Sequence, residues 1–444
     1  MKLFPHQKEA LDQTEGLNKV AYYLDMGLGK TFVGAEKMIR LESDLNLVVC
    51  QKSKIQDWVD HFRQFYTGCM VYDLTNKVDF STFSGQCQPL HANWKCIGVI
   101  NYDLLFRRKN LLQLKDFTLM LDESSLIQNS TAKRTKFILK MNPSNLILLS
   151  GTPTSGKYEN LWTQIHLLGW NISQDIYNKQ YVNWTLTKDD GSGIRHKIVD
   201  KRNPYKNVDR LKEKLREHGA IFMKTEECFD LPEQTFTTVN CKSSKEYTKF
   251  MKNSIVQVHT RIYDHLCDSE WDGDVYDDLH ELIGDTTLTK MMYSRMLCGQ
   301  YNQDKLQAFK DLVESTNDRL IVFYNFNDEL KELKKIASEL ERPVSEINGH
   351  VKDLDAYENE KNSITFCQYQ AASMGLNLQK SNKIVYFTLP LLSEHFEQSK
   401  KRIHRIGQTK PCFYYLMICK GTVEDRIYQT LQMRKDFTDE LFRE

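Results

Sequence analysis

The chain lacks most of the features that would settle its class at a glance. No apolar stretch in its 444 residues approaches the roughly 20 residues that a membrane-spanning helix needs. The opening Met1-Lys2-Leu3-Phe4-Pro5-His6-Gln7 has no apolar core of the signal-peptide kind, so a cytoplasmic location is expected, bacterial or, for a phage protein, that of the host. Charge is balanced at 60 Lys and Arg against 59 Asp and Glu, which neither selects nor excludes a polyanionic partner, because phosphates are gripped by local patches. Proline is scarce at 9 residues, and no Pro-rich or Gly/Ser-rich linker divides the chain. The 11 cysteines stand singly, without a Cys-x-x-Cys pair, so neither a structural zinc site nor a redox pair is signalled. Cys87, His91 and Cys96 lie close together but at no familiar zinc spacing; reduced, buried thiols are the expected state.

Against these absences one string stands out. Asp25-Met26-Gly27-Leu28-Gly29-Lys30-Thr31 lies between the apolar Val20-Ala21-Tyr22-Tyr23-Leu24 and the helix-like Phe32-Val33-Gly34-Ala35-Glu36-Lys37-Met38. A strand, a glycine turn and a helix N-terminus form the context of a phosphate site. Glycines let backbone N–H groups crowd an anion, the lysine reaches the β- and γ-phosphates, and the threonine hydroxyl holds Mg²⁺. The strict pattern also asks for glycine where Leu24 stands.

Three further strings carry chemistry. Leu119-Met120-Leu121 ends in Asp122-Glu123, and carboxylates at the C-terminal end of a parallel strand face the ligand side of an open α/β sheet. Asp122 can hold Mg²⁺, while Glu123 can orient or deprotonate an attacking water; the alternative is a solvated strand end. Ser150-Gly151-Thr152-Pro153 follows another apolar strand on a tight turn, suited to relaying nucleotide state. In Lys400-Lys401-Arg402-Ile403-His404-Arg405-Ile406-Gly407-Gln408 the two arginines are spaced to share a helix face and could clamp transferring phosphate oxygens; the alternative is a solvated basic helix end.

Apolar runs at 45–50, 96–100, 119–122 and 146–150 read as buried parallel strands, and the same signature returns at 319–324, 363–366, 383–387 and 413–417. The expected fold is α/β, with two parallel-sheet lobes, RecA-like by the resemblance these motifs carry to the superfamily-two helicases, and a mostly helical insertion between them. The expected divisions are a first ATP-binding lobe over 1–170, the insertion and inter-lobe connection over 171–300, and a second lobe over 301–444. The middle is charge-dense: basic from Lys201 to Arg216, acidic from Asp264 to Glu281.

Read in order, these strings resemble the Swi/Snf-like ATPases of the superfamily-two helicases, over nearly the whole chain. Leu3-Phe4-Pro5-His6-Gln7 looks like the adenine-recognition segment, which implies an adenine contact for Gln7. The nucleotide loop without its first glycine is a trait of the family. The segment 48–62 with Trp58, and then Asn101-Tyr102-Asp103, are similar to its first DNA-contacting segments, and Ile127-Gln128-Asn129 to the extension of its acidic box. Leu231-Pro232-Glu233 resembles the exit from the first lobe. Ser373-Met374-Gly375-Leu376-Asn377-Leu378 looks like the second-lobe motif that touches DNA and nucleotide, and implies a nucleotide contact at Gly375. The string around Arg402 and Arg405 implies arginine-finger roles for both. Leu389-Pro390-Leu391 in place of Trp-Asn-Pro, with Leu24 and Lys401 where many eukaryotic members carry acids, is more like short bacterial or phage members.

The resemblance implies an ATP- and Mg²⁺-using, DNA-dependent ATPase that moves along double-stranded DNA as a monomer, with ATP between the lobes and closure required for hydrolysis. An annealing or fork-remodelling motor, a DNA-binding subunit without hydrolysis and an RNA helicase are the competing expectations.

Overall fold

The computed structural model describes residues 2–84, 94–188, 195–262, 276–370 and 376–442, with side chains at 188, 259–262 and 276–280 left aside. The chain forms two units: residues 1–230 with 434–444, and residues 231–433.

The first unit is built on a seven-stranded sheet, in the order β3-β4-β2-β5-β6-β1-β9. Its strands are β1 (Lys19–Leu24), β2 (Leu45–Cys50), β3 (Cys69–Asp73), β4 (Lys95–Asn101), β5 (Phe117–Asp122), β6 (Asn145–Leu149) and β9 (Ala220–Met223). Every pairing in it is parallel. Continuous apolar runs suit a strand whose two faces are both covered. In β1, Ala21 and Tyr23 enter one core while Val20, Tyr22 and Leu24 enter the other. Helix α1 (Pro5–Asp12) precedes β1, α2 (Lys30–Arg40) follows it and α3 (Ile55–Phe65) follows β2. Gly34 lets α2 close on the sheet, since a Cβ there would stand 2.7 Å from Leu149 Cδ1 and 2.9 Å from Met120 Sδ.

The second unit repeats the plan with the order β10-β18-β17-β13-β16-β14-β15. Its strands are β10 (Gln234–Cys241), β13 (Leu320–Tyr324), β14 (Val344–Ile347), β15 (Lys352–Asp353), β16 (Ile364–Gln368), β17 (Lys383–Tyr386) and β18 (Cys412–Cys419). All pairings are parallel except β14 with β15. Beyond β18 and β10 lies a sealed polar cluster. Lys305 Nζ meets Glu424 Oε1 at 2.6 Å, both side chains almost wholly out of solvent, and Cys298 and Cys419 lie beside them. Asn302 Nδ2 donates to Cys419 Sγ at 3.2 Å, and the Cys419 N–H donates to Glu424 Oε2 at 2.9 Å.

The two parallel-sheet lobes are the expected fold class. The stretch 171–300 supplies helices Gln174–Tyr181, Val208–Glu217, Lys245–Asn253 and Thr287–Cys298. It also supplies two antiparallel hairpins, β7 (Trp184–Lys188) with β8 (Arg195–Val199) and β11 (Ile255–Ile262) with β12 (Tyr276–Ile283). The divisions expected at 170 and 300 move, because this stretch gives a strand to each sheet: β9 pairs with β1, and β10 with β18. The units part at Asp230 and Leu231, at the head of Leu231-Pro232-Glu233, and residues 434–444 go with the first unit. There the Tyr158 hydroxyl donates to the Phe437 carbonyl at 2.8 Å, and Leu441 and Phe442 join the core. Cys87, His91 and most of the acidic stretch lie outside the described residues. No helix among the described residues is long and apolar enough to cross a membrane.

Candidate nucleotide site

The loop after β1 is held on three sides. Gly29 takes φ +75° and Gly27 φ +92°, left-handed conformations that glycine adopts at no steric cost. From α1, the Gln7 amide donates to the Leu28 carbonyl at 3.1 Å and its Oε1 accepts the Phe4 N–H at 3.0 Å. His6 Nε2 reaches the same Leu28 carbonyl at 3.0 Å. A Cβ on Gly29 would stand 2.3 Å from Gln7 Nε2, so the Gln7 amide reaches the loop in this position because Gly29 has none. From the far end of the unit, Thr225 Oγ1 donates to Asp25 Oδ2 at 2.8 Å and lies 3.1 Å from the Met26 carbonyl. Asp25 Oδ1 accepts the Met26 N–H at 2.8 Å. Lys30, first residue of α2, folds back onto the Leu24 carbonyl at 3.0 Å. Thr31 follows it in the first turn, whose N–H groups are the ones a helix leaves for an anion.

Asp122 closes β5, and Glu123 begins the turn beyond it with φ +53°. A non-glycine residue in that region is strained, and such strain concentrates at functional sites. Asp122 Oδ2 accepts the Trp58 indole N–H from α3 at 2.8 Å. Burial pushes the Asp122 carboxyl above the ordinary carboxylate range; the Trp58 N–H and the Lys30 ammonium act against that rise. The Lys30 charge thus acts on Asp122, and the sheet brings together the loop lysine and the first acid. The Tyr102 hydroxyl donates to the Asp122 carbonyl at 2.9 Å.

Ser150-Gly151-Thr152-Pro153 lies against the same loop. A Cβ on Gly151 would stand 3.2 Å from Lys30 Nζ. Gln164, fully buried in helix Trp162–Leu167, ties this turn to its neighbours. Its Oε1 accepts the Ser124 hydroxyl at 2.7 Å and the Tyr23 hydroxyl at 3.0 Å, and its Nε2 donates to the Pro153 carbonyl at 2.8 Å. Gln128 donates to the same carbonyl at 3.2 Å. The turn expected to relay nucleotide state is therefore wired to the strand before the loop and to the residue after the acidic pair.

In the second unit the expected helix face fails. The helix Ser393–Lys400 ends before Arg402, so Arg402 and Arg405 lie in the turns that follow it. A shared acceptor brings them together instead: both donate through Nη1 to the Leu376 carbonyl, at 3.3 Å and 3.5 Å. Gln408 pins these turns through its amide to the Gln379, Ser381 and Ile403 carbonyls. Gly375 lies outside the described residues. Sequence reasoning missed Thr225 and Gln164, and placed Trp58 without its bond to Asp122; these partners are 200, 40 and 64 residues apart in the chain, beyond any local motif.

Residues 23–302 match the family model of the SNF2-related domain, and residues 304–407 that of the helicase conserved C-terminal domain. The class so defined is that of the helicase-like ATPases. The first match alone takes in more than half of the chain, and the protein belongs to the SNF2-related family. It is similar to the mouse SWI/SNF-related matrix-associated actin-dependent regulator of chromatin subfamily A member 1, at 21% identity over 92% of this chain and 40% of that protein. It is also similar to the putative ATP-dependent helicase/translocase YwqA of Bacillus subtilis, at 21% identity over 94% of this chain and 46% of that protein. The mouse DNA annealing helicase and endonuclease ZRANB3 shares 23% identity over 98% of this chain and 40% of its own length. The chain spans less than half the length of these three relatives. Among solved structures, the Sulfolobus solfataricus SWI2/SNF2 ATPase core in complex with dsDNA aligns over 99% of this chain and 92% of its own, at 19% identity and a TM-score of 0.45.

Proposed function

We propose that the protein hydrolyses ATP and couples hydrolysis to movement along double-stranded DNA, remodelling DNA or protein–DNA complexes. The observation that carries this reading is the sharing of one sheet end by the nucleotide loop after β1 and the acidic pair after β5, with the Lys30 ammonium acting on the half-buried Asp122 carboxylate. The donor set fits Mg²⁺ and ATP: a hydroxyl and a carboxylate for the metal, and backbone N–H groups with a lysine for the phosphates. Thr31 and Asp122 would hold Mg²⁺, which when bound neutralises phosphate charge. Met26, Gly27, Leu28 and Gly29 give the phosphates their backbone cradle, Lys30 exchanges its carbonyl partners for phosphate oxygens, and Gln7 marks the adenine end. Glu123 orients the attacking water and takes its proton. Arg402 and Arg405 stabilise charge on the transferred phosphoryl group in the hydrolysing state.

Support for DNA as the track comes from the family and from the printed name of the annealing-helicase relative, and support for movement from that of the translocase relative. The name of the latter also favours a second reading, an annealing or fork-remodelling motor. One assay tests both: ATPase rate with no nucleic acid, linear duplex, single strand, fork and RNA. Linear duplex should stimulate most. Stimulation by forks alone would favour the second reading, and no stimulation by any DNA would sink both. Glu123→Gln should lower turnover by about 10²–10⁴-fold while leaving nucleotide binding intact.

A further inference from the structure

We infer that the hairpin β7–β8 and the loop that follows it form a second anchoring site for a nucleic-acid backbone, built in the first unit from residues outside the nucleotide loop and the family's motifs. The inference rests on the proposed function for its choice of polyanion, and on local structure for the site itself.

Between 195 and 216 the chain carries nine Lys and Arg against three acids, an excess of six in a protein whose net charge is +1. Charge alone describes a solvated face; the framework beneath it argues for more. Hairpin, loop and preceding helix border an open cleft of about 590 Å³, lined by Lys179, Lys197 and Lys206 with Asn183, Asn203 and Trp184. Its walls are fixed by short-range bonds. The Asn183 N–H donates to the Pro204 carbonyl at 2.8 Å, and the Lys206 N–H to the Tyr181 carbonyl at 3.1 Å. Asn183 Nδ2 donates to the Asn203 carbonyl at 2.9 Å, and Asn207 Nδ2 to the Gln180 carbonyl at 2.8 Å. The backbone of the site is thus fixed before any ligand arrives, and only its exposed lysine side chains remain to be ordered on binding.

Asp200 also lines the cleft, but its carboxylate is engaged by the loop, accepting the Arg202 N–H at 2.7 Å and the Asn203 N–H at 3.1 Å. Those bonds hold its carboxyl below the ordinary range. The Lys197 ammonium lies 5.5 Å from the Trp184 ring centroid, which places that charge without consuming it. Lys179, Lys201, Arg202, Lys206 and Arg210 take part in no ion pair among the described residues.

The ligand class follows. Three ammonium groups around one cleft accept phosphate oxygens without demanding a fixed orientation. Arg195, Lys201, Arg202 and Arg210 carry positive charge beyond the cleft, so the track is longer than a single phosphate and fits a polymer. An acidic protein surface is the competing occupant, and the experiment separates the two.

The test measures equilibrium binding of a fluorescent linear duplex, without nucleotide, across a salt series for the full chain and for Lys179→Ala/Lys197→Ala/Lys206→Ala. Each phosphate contact contributes about 0.9 to the slope of log K against log salt. The triple variant should therefore lose about 2–3 from that slope, and its affinity at moderate salt should fall at least about tenfold. Far-ultraviolet circular dichroism and DNA-independent ATPase should stay unchanged. The corresponding triple Lys→Arg variant should keep the wild-type slope, which separates charge from folding damage. An unchanged slope and affinity in the alanine variant would overturn the inference. So would loss of poly-glutamate binding with duplex binding intact, which would assign the surface to an acidic protein. Because binding is read without ATP, failure of duplex DNA to stimulate the wild-type ATPase would strike the proposed function and leave this measurement standing.

Discussion

Asp122, half-buried at the end of β5, and Glu424, buried in the helix that follows β18, are carboxylates of the two units that are neutralised in opposite ways. Glu424 already has its cation: Lys305 Nζ at 2.6 Å, with the pair sealed from water. Burial pushes the Glu424 carboxyl upward, and the Lys305 charge beside it works against that rise. Asp122 has a neutral donor, the Trp58 indole at 2.8 Å, and feels the Lys30 charge without an ion pair to it. The first arrangement leaves no vacancy for a metal even though Cys298 and Cys419 stand beside it; the second keeps the carboxylate positioned and still short of a counter-charge. A buried or half-buried acid is therefore a candidate metal ligand only where the fold supplies a hydrogen bond in place of a cation.

The largest effect should come from breaking the sealed pair. Lys305→Met leaves Glu424 buried and uncompensated, and should cost the second unit about 3–5 kcal/mol, read as a lowered urea midpoint. Lys305→Met/Glu424→Leu should recover most of that loss, because the desolvation of both charges disappears with them. If the double variant is no better than the single one, Lys305 matters through packing and the contrast with Asp122 fails.

A smaller effect should follow Trp58→Phe, which keeps the ring and removes the donor to Asp122. A hydrogen bond to a charged group contributes about 1.5–3 kcal/mol. The half-saturating Mg²⁺ concentration for ATP hydrolysis should therefore rise roughly tenfold or more, with a modest change in melting temperature. A large drop in stability with unaltered Mg²⁺ dependence would make Trp58 a packing residue only.

The smallest effect concerns His61, which has neither kind of partner. Its ring packs among Phe32, Trp58, Phe62, Phe65 and Tyr66, and its buried Nε2 has no hydrogen-bond partner among the described residues. Burial depresses its pKa to about 4 from an ordinary value near 6.5. Between those values the unfolded chain binds the proton and the folded one does not, so stability should be complete above about 6.5 and decline as pH falls toward 4. His61→Gln should flatten that stretch of the pH–stability curve; an identical slope in the variant would assign it to other groups.

Legibility in the sequence followed distance along the chain. Apolar runs foretold β1, β2, β4, β5 and β6, and in the second unit β13, β16, β17 and β18, because a strand buried on both faces writes its burial as a local pattern. The nucleotide loop was legible for the same reason: strand, glycines, lysine and helix are contiguous. Strand β3 was not, since its residues are only half-buried. Nor was β10, a threonine-rich strand whose place is fixed by pairing with β18. The arginine string was found, but its helical geometry was misjudged, because the helix stops at Lys400 and the Leu376 carbonyl gathers the two guanidiniums from outside the motif. Thr225 and Gln164 left no signal: each is an ordinary polar residue until the fold brings Asp25 or Ser124 to it.

The pairing of β10 with β18 also sets a schedule for synthesis. Among the described residues, 234–241 bond in register only with 412–419, so a ribosome must add more than 150 further residues before that strand finds its neighbour. Until then β10 is an unpaired edge on a growing chain, the condition under which strands find wrong partners. The first unit waits longer still, since the turns that complete its core around Tyr158 come from residues 434–442. The half of the protein that is made first is the half that is finished last.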